Sequence, residues 1–507
     1  MTEPVRYRVS MSRPHSHLFE VEARFPAQRE PLTVALPVWT PGSYLVREYS
    51  RHVQDFTVLD DDSKPVPFER ADKRSFVIST QGRAVRLLYK VYANELTVRT
   101  SHLDHTHGYF NGATLFYYAE ALRGRAHHVV VDAPPGWHTT TALPEEAGAF
   151  IAADYDTLVD SPFEVGTHAP LRFTAAGAQH EVVTWGEPQL DDKKLVSDFT
   201  RIIETEAALF GGLPFQRYVF FLYCGDKGRG GLEHAASTAL LYPRNGFASA
   251  RGWEDFLTLV AHEYFHLWNI KRIKPRALVP FDYAQENYTR LLWFFEGGTS
   301  YFDNLIPRRA GLMSAARYLT RLGESFTSLH TTPGRRALSV TDASYLAWTK
   351  HYRPDENSAN SAISYYLKGE IICALLDLHL RAATSDAKSL DDLLRLLWAR
   401  YGDGRGVPED GVEAAAIELG GETLRPFFDA ALRGTSELDY GVFAHVGLEV
   451  KFRPRESNND KGGTPPRKRD KVEGWVGIVP RTSGIASVLE GSPAFAAGLY
   501  ADDEVVA

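Results

Sequence analysis

The sequence predicts a multidomain protein with an all-β N-terminal domain, a mixed α/β and mainly α-helical middle part, and a short C-terminal segment. Short alternating apolar stretches separated by turn residues fill residues 1–165, whereas apolar residues at helical spacing dominate residues 312–435. A charged stretch rich in Gly and Pro at residues 453–471 reads as a linker. The predicted domains are therefore 1–165, 166–452 and 472–507.

Length and composition limit what the protein can be. The chain has 507 residues, of which 44% are hydrophobic and 24% are charged, as is typical of a globular protein with about three domains. The net charge of −8 argues against a nucleic-acid partner. The N-terminus has no apolar signal core, and no apolar run is long enough to cross a bilayer. We therefore expect a cytoplasmic protein without membrane association.

The sequence contains two cysteines, Cys224 and Cys373. Two widely separated cysteines do not form a disulfide framework. Neither has the neighbours that a nucleophilic or zinc-binding thiolate requires. We expect two reduced, buried thiols.

Alternation of apolar and polar residues predicts strands in the N-terminal part. The alternation is clear at residues 18–23 and 56–58 and less regular at residues 85–89. Turn clusters such as residues 40–43 separate the strands, and no long helical period interrupts them. We predict an all-β domain folded as a sandwich or as an open, curved sheet.

Three histidines lie close together in the stretch SHLDHTHGYFNG of this predicted domain: His102, His105 and His107. Their spacing matches no familiar metal-ligand pattern. The sequence therefore favours a loop rich in polar turn residues over a second metal site.

The pattern changes after residue 166. Residues 195–210 predict a helix that ends at a Gly-Gly-Leu-Pro stretch, and the aromatic run at residues 218–223 predicts a buried strand. Further helices are predicted at residues 371–383 and 390–401.

The stretch EDFLTLVAHEYFHLWNIKR at residues 254–272 predicts a helix with one buried side. His262 and His266 are four residues apart, so they lie on one face of the helix and can bind one zinc ion through imidazole nitrogens. Glu263 lies beside the open coordination position of such a site, where it can accept a proton from water. The pattern predicts a hydrolase with one Zn²⁺ per chain.

A zinc site of this kind needs a third protein ligand. Glu296 stands near the start of a second apolar, helix-compatible stretch, WFFEGGTSY, and is the favoured candidate. Glu286 is the alternative.

Several motifs resemble known peptidases. WFFEGGTSYF is similar to the WxxEGxxxY element of gluzincin aminopeptidases, whose Glu binds zinc, and this likeness implies Glu296. The distance of Glu286 from His266 matches the thermolysin pattern instead. HEYFHLWNIKRIKP, together with LPVWTPGSYLVREY near the N-terminus, resembles the glycyl aminopeptidase family over nearly the whole chain. The resemblance implies an N-terminal β domain, a thermolysin-like catalytic domain and a C-terminal PDZ domain.

The stretch GGLEH at residues 230–234 resembles the GxMEN element of the aminopeptidase N family and the GGLEH form of the glycyl aminopeptidases. In those enzymes the element is an edge strand whose Glu binds the free amino group of the substrate. Glycines allow close backbone approach, and an edge strand can pair with an extended peptide. The resemblance implies that Gly230, Gly231 and Glu233 bind substrate. A glycine loop with one solvated Glu is the alternative.

The stretch YYLKG at residues 365–369 resembles the Y-x-K-G element of gluzincin aminopeptidases. There the Tyr three residues before the Gly donates a hydrogen bond to the tetrahedral oxyanion, which implies Tyr366 here. Tyr365 is the alternative, and a packing role is the default for an aromatic pair on a helix.

Residues 475–478 and 488–499 resemble the first part of a bacterial PDZ domain, in which a WVGI-type segment forms the carboxylate-binding loop. The later strands of such a domain are not found before Ala507. We therefore expect capture of a C-terminal peptide ligand only from a complete PDZ domain.

Together these patterns predict a zinc metalloaminopeptidase that removes a small N-terminal residue, Gly or Ala, from peptides with a free N-terminus. The preference for small residues comes only from the resemblance. One alternative is a zinc endopeptidase of the thermolysin type, which needs no free amine. The other is a non-catalytic peptide-binding or PDZ scaffold protein, against which the intact Glu263 argues.

Overall fold

The computed structural model describes residues 3–28, 31–457, 460–466 and 474–504. The chain forms two compact units. Unit 1 comprises Met1–Ile203, Leu213–Leu267 and Phe281–Glu286, and unit 2 comprises Glu204–Gly212, Trp268–Pro280 and Asn287–Ala507.

The N-terminal part of unit 1 is built from three β-sheets. One sheet has seven strands in the order β12-β13-β10-β1-β2-β7-β4, one has four in the order β11-β14-β9-β8, and one has three in the order β3-β6-β5. The strands are β1 (Val5–Ser10), β2 (Leu18–Phe25), β3 (Leu32–Ala35), β4 (Val53–Asp60), β5 (Phe68–Arg70), β6 (Ser75–Ile78), β7 (Val85–Tyr92), β8 (His102–Leu103), β9 (His107–Phe110), β10 (His127–Asp132), β11 (His138–Thr141), β12 (Glu145–Glu146), β13 (Ala149–Ala152) and β14 (Phe163–Gly166).

Period-two alternation explains the largest of these sheets. β2 and β7 pair in antiparallel register, with Val21 opposite Tyr89, and every second side chain of each strand is buried. The buried side chains join one apolar core, to which strands of all three sheets contribute. The strands predicted at residues 18–23, 56–58 and 85–89 are confirmed within β2, β4 and β7.

The prediction of an all-β sandwich or single curved sheet needs two corrections. The strands form three sheets, and two short helices interrupt them, α1 (Gly112–Leu115) and α2 (Tyr155–Val159). Asn111 and Asp154 cap these helices by accepting from backbone N–H groups. Helices of four or five residues are too short to leave a helical period in the sequence, so the domain is β-rich rather than all-β.

A second part of unit 1 contains a five-stranded sheet in the order β15-β16-β17-β19-β18. β16, β17 and β19 are parallel, and β15 and β18 pair in antiparallel fashion at the two edges. The strands are β15 (Leu171–Ala175), β16 (Ala178–Trp185), β17 (Arg217–Gly225), β18 (Gly230–Glu233) and β19 (Ser237–Pro243). The buried strand predicted at residues 218–223 is confirmed within β17.

Two helices accompany this sheet along the chain. The predicted helix at residues 195–210 is confirmed within α3 (Asp192–Phe210). The helix α4 (Ala250–Phe265) follows β19.

Unit 2 is mainly helical. Its helices are α5 (Leu292–Phe295), α6 (Gly297–Arg309), α7 (Ala315–His330), α8 (Val340–Tyr345), α9 (Ser358–Ser361), α10 (Tyr365–Ala383), α11 (Leu390–Tyr401), α12 (Gly411–Gly420) and α13 (Arg425–Phe428). The helices predicted at residues 371–383 and 390–401 are confirmed by α10 and α11. Within the described part of the chain, no helix combines the length and the apolar character needed to cross a bilayer.

The two cysteines are free and buried, as predicted. Burial raises the pKa of Cys224 to about 12 and that of Cys373 further. Both thiols therefore stay protonated and chemically inert at neutral pH.

Near the C-terminus, β20 (Ile478–Arg481) and β21 (Gly484–Val488) form a hairpin, and α14 (Pro493–Ala496) follows it. Ile485, Val488 and Ala494 form a small apolar cluster. The predicted linker at 453–471 and PDZ segment at 472–507 lie partly outside the described residues, at 458–459, 467–473 and 505–507. The PDZ assignment stays a prediction.

Candidate active site

The helix α4 carries the two predicted zinc-binding histidines. Ser249 caps its start by accepting from the Gly252 N–H. His262 lies in the last turn and His266 at the C-terminal cap, with ring centroids 4.6 Å apart. His266 is buried, whereas His262 is partly exposed. The helix thus presents two imidazoles side by side, as a zinc site requires.

The sequence predicted that this helix continues to residue 272, and that prediction is wrong. The helix ends at Phe265. The chain then folds into a tight turn in which the Ile270 N–H donates to the Ile273 carbonyl at 2.9 Å. Ile270 adopts a φ of 115°, which a helix cannot contain. Apolar residues at helical spacing do not reveal such a turn.

α4 is held to the five-stranded sheet by a buried polar contact. The Tyr264 hydroxyl and His180 Nε2 are 2.9 Å apart, and the Tyr264 ring stacks on Phe220 with centroids 5.7 Å apart. Phe256 and Val260 bury their side chains on the same helix, as predicted. This packing fixes the rotation of α4 and therefore the direction in which its histidines point.

The predicted substrate strand β18 lies at the edge of the sheet, paired only with β19 among the described strands. Gly231 on this strand faces Glu263, and a Cβ at residue 231 would overlap the Glu263 carboxyl group. Glu233, two residues further along, points to the same face of the strand. The glycine thus allows a helix carboxylate to lie directly against the strand backbone.

Glu233, Glu263 and His266 form a buried cluster. One candidate ligand atom from each lies within 4.8 Å of the other two. Glu233 is 4% exposed and Glu263 is 5% exposed. Burial raises the pKa of Glu263 to about 7, opposed by His262 and His266 and supported by Glu233. A carboxyl group with this pKa can both accept and return a proton near neutral pH.

One oxygen of each carboxylate is left without a hydrogen-bond donor. Glu233 Oε1 and Glu263 Oε2 have no partner among the described residues. Buried carboxylate oxygens in proteins are normally paired with a donor or a cation. The two imidazoles and the unpaired oxygens therefore fit a site that takes up a metal ion, water and a cationic group of a ligand.

Two residues that the sequence did not single out complete this part of the site. Gly42 has a φ of +85°, and a Cβ there would lie 2.6 Å from Glu233 Oε1, so the turn at residues 40–43 closes against Glu233. Arg99 donates to the Gly231 carbonyl at 3.0 Å and lowers the pKa of Glu263. Gly42 lies within the LPVWTPGSYLVREY motif. This motif was the sequence feature from which a role of Gly42 near the site could have been predicted.

In unit 2, Glu296 lies between α5 and α6 and is 2% exposed. The next residue, Gly297, contacts the backbone of α10 at Gly369, and a Cβ on either glycine would overlap the other's Cα. This close contact brings the start of α6 next to the first turns of α10. Glu286, the alternative zinc ligand, is partly exposed in unit 1, and it joins no group of candidate metal ligands in the described part of the chain.

Tyr366 lies one turn before Gly369 on α10. Its hydroxyl is 3.1 Å from that of Tyr352. Burial raises the pKa of Tyr366 well above its usual value, and the Glu296 carboxylate adds to the rise. Tyr366 therefore keeps its proton and can donate it in a hydrogen bond. Tyr365 is 0% exposed, whereas Tyr366 is partly exposed.

Comparison with known proteins places these observations in a family. Residues 6–167 match the Peptidase M61 N-terminal domain, and residues 255–372 match the M61 glycyl aminopeptidase domain. The crystal structure of an aminopeptidase N family protein from Idiomarina loihiensis is 32% identical, with a TM-score of 0.94, over 99% of this chain and 89% of that chain. The chain belongs to the M61 glycyl aminopeptidase family. This M61 protein is a zinc metallopeptidase of the aminopeptidase class.

More distant structures share the fold of the M61 protein. An M1 zinc metallopeptidase from Deinococcus radiodurans is 12% identical, with a TM-score of 0.52, over 86% of this chain and 95% of that chain. Yeast LTA4 hydrolase, solved in complex with bestatin, is 12% identical, with a TM-score of 0.53, over 86% of this chain and 68% of that chain. A search of curated protein sequences gave no match. The predicted family is confirmed, and so is the multidomain fold with a β-rich N-terminal part and a helical C-terminal part.

The contact between Gly231 and Glu263 generates a first prediction. We expect Gly231→Ala to lower kcat/KM for a free aminoacyl substrate by about 100-fold, because it displaces the Glu263 carboxyl group, and a misplacement of about 1 Å in an active site costs about that much. The melting temperature should also fall, because the new methyl overlaps Cγ, Cδ and Oε1 of a side chain that is itself buried. Steady-state kinetics and thermal unfolding would measure the two effects.

The matched comparison is Gly230→Ala, which alters the same strand. Its new Cβ would meet only Arg99 Nη1, at 3.8 Å, so its loss of kcat/KM should be at least about tenfold smaller. Equal losses in the two variants would show that the strand backbone, and not the Glu263 carboxyl position, is the sensitive element.

Proposed function

We propose that this M61 peptidase removes a small N-terminal residue, Gly or Ala, from peptides with a free N-terminus. The observation that carries the proposal is the buried pair Glu233 and Glu263, each with an oxygen that has no donor among the described residues. One carboxylate can accept a proton, and the other can bind a cationic amine. We further propose that the catalytic domain spans residues 166–452 and the N-terminal domain residues 1–165.

The metal would be held by His262, His266 and Glu296, one Zn²⁺ per chain. Two imidazoles four residues apart and one carboxylate are a usual ligand set for catalytic zinc. The burial of His266 and Glu296 supports this assignment. Buried polar side chains are normally paired, and a metal ion would be such a partner. When bound, zinc would polarise the scissile carbonyl and make the attacking water more acidic.

Glu263 is proposed as the general base. Its carboxyl lies against β18, so it faces a substrate that extends along this strand. It would accept a proton from the attacking water and transfer it to the departing amine. The pKa of about 7 suits a group that must do both.

Glu233 is proposed to bind the ammonium group of the substrate. It lies on the same strand face as Gly231 and is closed off on one side by the turn at Gly42. A peptide paired with β18 would meet Glu233 near its first residue. Gly42 and Leu232 leave little space beside the Glu233 carboxylate. This supports a substrate whose N-terminal residue has a small side chain, as the family resemblance also implies.

Tyr366 is proposed to stabilise the oxyanion. Its phenol keeps its proton because of burial and the nearby Glu296 carboxylate. A neutral hydroxyl aimed at the developing negative charge is an effective donor. The greater exposure of Tyr366 compared with Tyr365 supports this choice, because an oxyanion donor must reach the substrate.

The ligand assignment predicts a change in metal content. Glu296→Ala should lose zinc, whereas Glu286→Ala, its matched control, should retain about one catalytic zinc per chain. Metal analysis of both purified variants by mass spectrometry would measure this, with circular dichroism as the test of folding. The reverse result would assign the third ligand to Glu286.

The oxyanion assignment predicts a difference between two neighbouring tyrosines. Tyr366→Phe should lower kcat by roughly 10² to 10³, because it removes one donor from the transition state. Tyr365→Phe is the control, because it removes a hydroxyl of the same kind one residue earlier. A near-normal kcat for Tyr366→Phe with a large loss for Tyr365→Phe would exchange their roles.

The amine-binding assignment predicts a dependence on the free N-terminus. An acetylated substrate brings a neutral amide against the Glu233 carboxylate, and leaving a buried charge unpaired costs roughly 2 to 5 kcal/mol, or about 30-fold to several thousand-fold in affinity. Glu233→Ala should reduce kcat/KM for free Gly or Ala substrates by that order and retain its zinc. It should also narrow the gap between free and acetylated substrates.

Matched pairs of free and N-acetylated substrates, assayed with the wild type and with Glu233→Ala, would measure this gap. If the wild type cleaves both members of a pair equally well, the aminopeptidase proposal fails. The thermolysin-type endopeptidase would then be the better description of the same catalytic groups.

A further inference from the structure

A second cluster of metal-binding side chains lies in the N-terminal part of unit 1, and the peptidase site does not use it. His102, Asp104 and His107 each offer a ligand atom within 4.8 Å of the other two. The spacing of the three histidines along the sequence favoured a polar loop. The folded hairpin brings two of those histidines together with an aspartate, and this arrangement could not be read from the spacing.

The hairpin geometry explains the cluster. β8 and β9 pair with Leu103 opposite Gly108, and the Asp104 N–H donates to the His107 carbonyl. Side chains two residues apart on a strand lie on the same face of the sheet, so His102 and Asp104 share one face of the hairpin. His107 lies opposite Asp104 and on the same face. His102 Nδ1 and His107 Nε2 are 3.0 Å apart.

A buried carboxylate fixes the direction of His107. His107 Nδ1 is 2.8 Å from Glu164 Oε1, and Glu164 also accepts from the Tyr223 hydroxyl at 3.1 Å. An ionised carboxylate only accepts, so the Nδ1 of His107 donates to Glu164; in a neutral ring the lone pair is then on Nε2, which faces His102. Glu164 thus orients His107 as the outer carboxylate of a metal-bound histidine does.

Further contacts hold Asp104 and His107 in place. Asp104 Oδ1 accepts from the Thr106 and His107 backbone N–H groups at 2.7 and 3.1 Å. The Trp185 ring stacks on His107 with centroids 4.4 Å apart and donates to Thr106 Oγ1 at 3.0 Å. The three ligand atoms therefore converge before any ion binds, which lowers the ordering cost of binding.

The distances suit a tetrahedral metal ion. Two nitrogens bound to one zinc at about 2.0–2.1 Å lie about 3.3 Å apart in a tetrahedron, close to the 3.0 Å between His102 Nδ1 and His107 Nε2. Either a proton or a metal ion can lie between these nitrogens. His102 and Asp104 are partly exposed, so an ion can enter and water can complete its coordination.

We propose that His102, Asp104 and His107 bind a divalent first-row transition metal ion in addition to the zinc of the peptidase site. Two imidazoles and a carboxylate favour Zn²⁺, Ni²⁺ or Cu²⁺ over Ca²⁺ and Mg²⁺, which prefer oxygen ligands. The ion joins β8, β9 and the loop between them, and Glu164 connects it to β14.

The number of zinc ions per chain tests the proposal and distinguishes this site from the peptidase zinc site. Full-length protein would be stripped with a chelator, loaded with Zn²⁺ and measured by mass spectrometry. We expect about two zinc ions in the wild type, about one in His262→Ala/His266→Ala, about one in His102→Ala and none in the combined variant. Titration calorimetry with Zn²⁺ would give the affinity of each site.

The matched control is His105→Ala. His105 lies in the same loop and is exposed, but it does not belong to the cluster, so this variant should bind zinc as the wild type does. Asp104→Asn keeps an oxygen for the loop hydrogen bonds while it removes the charge, and it should weaken zinc binding at least about tenfold without unfolding the hairpin.

Two results would overturn the proposal. One is a His262→Ala/His266→Ala variant that is folded and binds no zinc. The other is a single remaining zinc that His102→Ala fails to remove. A wild type with one zinc that is lost in His102→Ala but retained in His262→Ala/His266→Ala would support this site and refute the peptidase ligand set instead.

Discussion

The carboxylate of Glu263 lies directly against the backbone of β18, and this is sterically allowed only because residue 231 has no side chain. The other groups of unit 1 follow from that contact. A rigid helix carries His262 and His266 at fixed offsets from Glu263, and a strand carries Glu233 on the same face as Gly231. The Tyr264–His180 contact then fixes the rotation of the helix on the sheet. A close approach between helix and strand thus sets the positions of Glu233, Glu263 and the two imidazoles together.

The placement of two buried carboxylates side by side carries an electrostatic cost. Glu233 and Glu263 are both buried, and the Glu233 carboxylate adds to the rise in the pKa of Glu263. Arg99 and the histidines reduce this cost without removing it, as the raised pKa of Glu263 indicates. A metal dication and a substrate ammonium would each bring the missing positive charge. The oxygens of Glu233 and Glu263 that have no donor among the described residues would therefore favour cationic ligands over neutral ones.

The sequence predicted the elements whose signals are local. The helix around His262, the edge strand around Glu233 and the helices α10 and α11 each follow from periodicity or from a short motif. The end of α4 was predicted seven residues too late, because a turn with a positive φ at Ile270 leaves no trace in the apolar pattern. Gly42 and Arg99 were missed because their contacts with β18 are made by chain folding over long separations.

The sequence analysis named three neighbouring histidines but did not predict that two of them lie beside Asp104. Familiar zinc spacings mostly describe helices and knuckles, whereas His102, Asp104 and His107 meet through the period of a hairpin. Glu164, the residue that gives His107 its direction, comes from another strand and has no sequence signal of its own. Residues that belong to recognisable local motifs could thus be predicted even on separate elements, whereas a cluster formed only by pairing between strands could not.

The turn at Gly42 places a piece of the N-terminal domain against a carboxylate of the peptidase fold. The border between these two domains in the sequence is therefore not a border in function. A peptidase domain transplanted without its own N-terminal partner would keep its motifs and lose one wall of its cleft. Any variant made to study Glu233 therefore has to keep residues 40–43 in place beside β18.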